Sequence, residues 1–281
     1  GLAVRIEQPL PWVSVAPKST VVAPNSFADL DLAFNAAGLA DGSYDGRLRI
    51  SSNDPAHPQM GVPLAFHVAP PVVIGFDLKP AFDAVVALRA EVPDDAFTAS
   101  ILGTERHGNG VVIRDDGLVL TIGYLITEAA SVWLTANDGS VIQGHPLAYD
   151  FATGFGLIQP LGRPRLPVIA RGSAATVAVD DDVFVLGHGG RTHSLKASVV
   201  AKREFAGFWE YLLDEALFTT PPHPEWSGTA LLDEAGQLIG IGSLLLQEKV
   251  GDDTVDGNMF VPIDVLEPIL DDLLRTGRSG V

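Results

Sequence analysis

The stretch HPEWSGTALLDEAGQLIGIGSLLL, residues 223–246, decides how the rest of the chain is read. It sets Ser227 and Gly228 in a turn between an aromatic-apolar run and a strand-like segment. Many hydrolases present a nucleophile in this way. Ser227 has two open readings: an attacking hydroxyl, or a small residue suited to a tight turn. A serine hydroxyl is a weak nucleophile until a neighbouring base removes its proton, and a third group must orient that base. The first question is whether the chain supplies both.

Composition narrows the classes. With 281 residues the chain can hold two domains or one large all-β unit. It is 47% hydrophobic and 19% charged, outside the range of disordered chains. Eighteen basic against 35 acidic residues give a net charge of −17, which repels phosphate backbones and excludes nucleic acid as a partner. The absence of cysteine excludes disulfides, thiolate metal sites and cysteine nucleophiles. No apolar run reaches the length of a membrane span. No basic and apolar leader opens the chain, so the expectation is that any targeting segment was removed or never present.

Residues 1–71 read as short strands separated by turns. Trp12-Val13-Ser14-Val15 alternates, as does the segment 27–34, and the runs 47–50 and 62–68 follow. Ala40-Asp41-Gly42-Ser43 and Asn53-Asp54-Pro55 are turn chemistry. PWVSVAP and AAGLADGSYDGRLRISSNDPAHPQMGVPLAFHV resemble bacterial Ig-like modules of the ASPM/hydin group, the match resting on Gly42, Tyr44, Gly46, Ile50, Asn53, Asp54 and Pro55. The resemblance implies a β-sandwich with Trp12 and Tyr44 filling its core, and a secreted or surface protein. Val68-Ala69-Pro70-Pro71 is a stiff extended connector.

In the remainder, residues 72–281, the stretch 72–262 again favours strands. Val111-Val112-Ile113, Leu118-Val119-Leu120-Thr121 and Val183-Phe184-Val185-Leu186 are short apolar runs bounded by turn residues. The spacing of Val265, Leu266, Ile269, Leu270, Leu273 and Leu274 predicts a helix over 264–275, with Pro268 tolerated only in a first turn. HGNGVVIRDDGLVLTIGYLITEAASVWLTANDGSVIQGHPLAYDFATGFGLIQ, then VDDDVFVLGHGG, then HPEWSGTALLDEAGQLIGIGSLLL and NMFVPIDVLEPILDDLL, resemble in order and spacing the HtrA/Deg branch of trypsin-like serine proteases. The resemblance covers about residues 80–276. It implies an all-β chain: an N-terminal Ig-like β-sandwich over 1–71, followed over 72–281 by a trypsin-like double β-barrel with a C-terminal helix.

Carried over residue by residue, the resemblance puts the nucleophile on Ser227, the histidine on Tyr124 and the aspartate on Gly154. A phenol at neutral pH donates protons rather than accepting them. Glycine has no side chain with which to orient a base. Loss of the histidine from a comparable triad costs roughly a millionfold in turnover, about 8 kcal/mol. Glu225 stands where the oxyanion turn usually has glycine and brings a carboxylate toward the developing negative charge. The chain therefore reads as a catalytically inactive relative that binds a peptide or protein, or acts as a scaffold. The alternative is an active serine hydrolase in which Ser227 uses an unconventional base.

Other residues hold secondary readings. His223, four residues before Ser227, reads as a solvent-facing loop histidine able to approach the hydroxyl. Trp226 reads as a groove-filling tryptophan or a binding contact, and Trp209 and Tyr211 pose the same choice. Gly251 to Asn258 is a faint calcium-like loop better suited to a hairpin tip, and Asp180-Asp181-Asp182 suits a turn. His107-Gly108-Asn109-Gly110 and Gly187-His188-Gly189-Gly190 shape turns, and neither is a phosphate loop. No metal or cofactor is expected. The resemblance implies a periplasmic or extracellular bacterial location and allows a trimer. No PDZ module of that branch is expected within residues 1–281; the sequence stops about where one would be joined, so a piece of a longer protein carrying one stays an open reading.

Overall fold

The computed structural model describes residues 2–6, 10–23, 26–68, 74–207, 211–251 and 253–279. The proline connector at 69–71, Trp209 and Asp252 lie outside the described residues. The chain forms two compact units, Gly1–Val73 and Ile74–Val281.

The first unit contains β1 (Leu2–Ile6), β2 (Val13–Ala16), β3 (Ser19–Thr20), β4 (Asp31–Phe34), β5 (Gly42–Ser52) and β6 (Gln59–Val68). A four-stranded sheet runs β3-β1-β5-β6, and β2 pairs with β4 in a second sheet. Trp12, Val13 and Val15 meet Leu48 and Leu64 in one small core, so the two sheets share a single apolar cluster. Trp12 stacks on Phe34 and Phe66 at centroid separations of 6.0 and 5.6 Å. Alternation over 27–34 predicts a longer strand than forms: only residues 31–34 pair, and Phe27 is exposed. Ladder pairing, which periodicity does not report, sets that limit.

The second unit holds two closed six-stranded antiparallel barrels. The first uses β7 (Val85–Glu91), β8 (Glu105–Val112), β9 (Val119–Ile122), β10 (Ser131–Thr135), β11 (Val141–Tyr149) and β12 (Phe155–Pro160), in the order β10-β11-β12-β9-β8-β7. The second uses β13 (Asp182–Leu186), β14 (Ser194–Ala206), β15 (Leu212–Thr220), β16 (Ala230–Leu232), β17 (Leu238–Val250) and β18 (Asp253–Pro262), in the order β13-β14-β15-β18-β17-β16. Closure pairs the body of each barrel on both sides of its strands, leaving extensions such as the far part of β17, from Leu244 on, with β18 as the one named partner. Val183, Val185, Val199, Leu217, Ile239 and Phe260 fill the second barrel. The larger cluster runs from the first barrel's interior into residues of the second, including Phe218, Ile241 and Val261.

Three short helices are α1 (Leu78–Asp83), α2 (Ala99–Leu102) and α3 (Leu270–Thr276). The helix predicted over 264–275 is shorter than its periodicity suggests. Residues 263–265 form a 3-10 turn, and the α-helix starts two residues after Pro268, which has no N–H to give; the Ile269 and Leu270 amides on its far side both donate to the Leu266 carbonyl. Gly108 and Gly110 lie within β8, not in a turn. A Cβ at Gly108 would fall 2.5 Å from Leu125 and 2.9 Å from the Ser227 carbonyl oxygen, so close approach demands glycine there.

Gly228 is the tightest junction between the barrels. Its φ is +75°, and a Cβ would fall 1.9 Å from the backbone oxygen of Asn109. Gly139 also has a positive φ, +83°, but faces open space. Gly139→Ala should therefore cost only the local strain, about 1 kcal/mol. Gly228→Ala should cost about 3 kcal/mol or more, because backbone must move against backbone. Urea denaturation of the two variants checks the contrast; equal losses would contradict it.

Candidate functional site

Ser227 sits in the turn between β15 and β16, and Tyr124 in the 3-10 turn Gly123–Leu125 that follows β9. The fold brings them together from opposite barrels: Tyr124 Oη lies 2.7 Å from Ser227 Oγ. The same phenol donates to the backbone carbonyl of Ser243, on β17, at 2.6 Å. A carbonyl oxygen can only accept, so the phenolic proton is committed to it. The Ser227 hydroxyl must then be the donor to Tyr124. The serine proton thus points at the Tyr124 phenol oxygen, a far weaker base than an imidazole nitrogen. A phenolate there would set its charge against the Ser243 carbonyl oxygen.

Gly154, immediately before β12, has φ +80°, and Tyr211 occupies the space beside it. A Cβ at Gly154 would meet three atoms of the Tyr211 ring at 2.2 to 2.8 Å. The Tyr211 hydroxyl is hydrogen-bonded to the Ser243 hydroxyl, and the ring is buried in the larger core. An aromatic ring, not a void, fills the place a side chain at 154 would take. Asp150 is buried nearby but turns back on its own loop, accepting from the Thr153 amide and hydroxyl at 2.8 and 2.7 Å and from the Ser279 hydroxyl.

His223 corrects the expectation of a solvent-facing histidine: it is only 2% exposed. Its Nδ1 accepts from the Glu225 amide at 3.1 Å, so the ring proton sits on Nε2 and is donated to the His193 carbonyl at 3.0 Å. Its backbone N–H donates to Asn258 Oδ1. Both ring nitrogens are spent holding the loop, and neither meets Ser227. In the serine-protease template the oxyanion is held by the amides of the nucleophile and of the residue two before it. Here the second of those amides is the Glu225 N–H, already bonded to His223. The Glu225 side chain is exposed, and Trp226 is half-buried.

Asn109, which sequence reasoning treated as a turn residue, clamps the loop from the first barrel. It is buried, and its side-chain amide donates to the carbonyls of Glu225 and Ser227 at 3.0 and 3.1 Å. Its Oδ1 accepts from the His188 amide at 2.8 Å, and its backbone N–H donates to the Ser227 carbonyl at 2.8 Å. A polar residue between two strand glycines is the one trace of this role in the sequence. Arg106 was also missed. It is 4% exposed and donates to the carbonyls of Tyr124 and Thr127 at 2.7 and 2.9 Å, fixing the turn that carries Tyr124. Burial pushes its guanidinium below the usual value, partly offset by the Glu128 charge.

Glu128 caps the neighbouring segment, accepting from the Thr98 hydroxyl at 2.5 Å and from the Thr98 and Phe97 amides at 2.8 and 3.1 Å. The Thr98 hydroxyl, more than the amides and the Arg106 charge, holds its carboxyl below the ordinary value. A cleft of about 570 Å³ remains open beside the site, lined by Ser227, Trp226, Glu225, His107, His188 and His193 among others. Among the described residues, no three His, Asp or Glu side chains are arranged to hold a metal ion.

The two barrels, their order and the turn at Ser227 define a trypsin-like, HtrA-type fold. Residues 108–241 match the trypsin-like peptidase domain family. The serine endoprotease DegS of Haemophilus influenzae is 25% identical over 181 residues, 61% of this chain and 51% of that protein. The chloroplastic Protease Do-like 1 of Arabidopsis thaliana is 26% identical over 194 residues, 66% of this chain and 44% of that protein. The chain spans about half the length of the curated relatives it matches. The HtrA-type protease AlgW with tripeptide superposes with a TM-score of 0.57 at 17% identity, over 72% of this chain and 64% of that one.

Two outcomes follow from this geometry. Tyr124→Phe should lower stability by about 1–2 kcal/mol, since the Ser227 hydroxyl and the Ser243 carbonyl both lose a partner. Urea denaturation reads this, and an unchanged midpoint would contradict it. Glu128 has a depressed folded-state pKa, so its contribution is present above about pH 4.5 and is lost as pH falls through the lower folded value. Glu128→Gln should flatten the acid limb of the stability profile and leave its shape near neutrality unchanged.

Proposed function

We propose that the second unit is a catalytically silent member of the trypsin-like, HtrA-type proteases that binds an extended peptide or protein segment. The hydrogen bond from Ser227 to Tyr124, with the phenolic proton already given to Ser243, carries the reading. Tyr124 takes the histidine's role in position only, Gly154 the aspartate's. The Glu225 amide, bonded to His223, supports the same conclusion for the oxyanion hole.

Two features favour binding over a passive scaffold. The cleft is open rather than filled by Trp226 or Tyr124. The strand β17 also pairs with β16 only as far as Ile241, and from Leu244 to Val250 its named partner is β18 alone. One flank of that segment is thus available for strand addition by an extended peptide. Glu225, Trp226 and His223 form or support the cleft wall, with Trp226 as the aromatic contact.

Within the same proposal, residues 1–71 form an Ig-like accessory module and 72–281 the protease-fold domain. A periplasmic or extracellular location is taken from relatives such as the probable periplasmic serine endoprotease DegP-like of Pseudomonas putida, and a trimer from the branch as a whole. No described helix is long and apolar enough to cross a membrane.

Titration with unfolded casein peptides tests the function. The expected result is a saturable change in tryptophan emission that Trp226→Phe abolishes, with no new peptide termini by mass spectrometry. Cleavage that disappears in Ser227→Ala would establish the hydrolase alternative instead. A companion variant tests the geometry: Tyr124→His with Gly154→Asp should remain without activity while Tyr211 fills the aspartate's space. Activity in that double variant would contradict the packing argument.

A further inference from the structure

Tyr124 also lines a separate groove of about 480 Å³, in the first barrel, whose other walls include Phe97, Ile101, Tyr149 and Phe151. Three of these are unusually open for large apolar residues: Phe97 is 86% exposed, Ile101 72% and Phe151 71%. Scattered single exposures need no explanation, but three converging on one concavity mark an interaction surface. The surface is held in place. Glu128 pins the Phe97 and Thr98 amides, Arg106 donates to the Thr98 hydroxyl at 2.7 Å, and the Tyr149 and Phe151 rings pack at 4.2 Å. The apolar groups are therefore preorganised, which lowers the ordering cost of a bound partner.

Charge chooses the partner. The segments that build the groove carry Asp94 and Asp95, both exposed, three and two residues before Phe97, and Glu128 on the wall itself. Asp150, beside Phe151, is buried and satisfied by Thr153 and Ser279. Arg106, beneath the groove, is buried and spends its guanidinium on backbone carbonyls and Thr98. On the C-terminal segment that reaches Asp150, Arg275 is exposed and paired with Asp272, and Arg278, next to Ser279, is a second exposed cation. Glu128 is thus the charged residue on the groove wall, and the exposed carboxylates of Asp94 and Asp95 in the segment leading to Phe97 add to the negative charge of the wall-building segments. A second copy of this chain would bring its own acidic surface to that wall, and like charges oppose such a contact.

We propose that this groove docks a basic peptide segment, seating one large apolar side chain among Phe97, Ile101 and Phe151 with flanking lysines or arginines toward Asp94, Asp95 and Glu128. The site is distinct from the cleft beside Ser227 and stands whether or not that cleft binds a peptide.

Fluorescence anisotropy with the full chain tests it, using a fluorescein-labelled ten-residue peptide with a central phenylalanine between lysines. Binding should be saturable and salt-sensitive. It should weaken about tenfold or more when the central phenylalanine becomes serine, when the lysines become glutamates, or in Ile101→Ser and Phe151→Ser. Phe97→Ser, at the most exposed position, gives a third variant whose folding is least at risk. Trp226→Ala should leave the affinity unchanged. Binding that ignores the groove variants, or that is lost in Trp226→Ala alone, would overturn the proposal and assign the peptide to the cleft. Concentration-dependent dimerisation abolished by Ile101→Ser would overturn it in favour of a second copy as occupant.

Discussion

The site depends on one hydroxyl with two neighbours. Tyr124 Oη reaches Ser227 Oγ from the opposite barrel and also reaches the Ser243 carbonyl. Because a carbonyl only accepts, the direction of every proton in the chain is set: Ser227 to Tyr124, Tyr124 to Ser243. In a working triad the same serine proton points at an imidazole nitrogen that can accept it fully, with a carboxylate behind the ring to hold the resulting charge. Here the receiving atom is a neutral phenol oxygen. We therefore read the arrangement as a structural tie between barrels in the space where catalysis would occur.

The surrounding residues make sense as supports for that tie. Arg106 holds the turn bearing Tyr124 through two backbone carbonyls. Asn109 holds the turn bearing Ser227 through its side-chain amide and backbone N–H. Tyr211 lies against Gly154 and meets the Ser243 hydroxyl, so the glycine and the tyrosine depend on each other. His223 fixes the Glu225 amide from below. Under the proposed reading, a single substitution at Tyr124 or Gly154 would leave these neighbours where they are, with the Tyr211 ring still in the space beside residue 154.

Much of this was legible in the sequence, for a physical reason. Barrel strands are short apolar runs cut by turns, and Val119–Ile122 or Asp182–Leu186 are bounded by residues that favour those turns. The order of motifs placed Ser227 in a serine-glycine turn and Tyr124 just after a strand, and the fold brings these two turns into contact. What failed was whatever depends on neighbours distant in sequence. The hydrogen bonds that hold buried His223 run to Asn258 and His193, the clamp at Asn109 to residues more than a hundred positions away, and the Gly154 space is filled by Tyr211. The periodicity over 264–275 was real, but Pro268 decided where the helix could begin.

Reactivity of Ser227 toward a fluorophosphonate probe tests the central claim most directly, since that reagent reports an activated serine without requiring a known substrate. We predict no labelling above that of heat-denatured protein. Stoichiometric, heat-sensitive labelling that vanishes in Ser227→Ala would mean that some group removes the serine proton, and would contradict the proton arrangement on which the account rests.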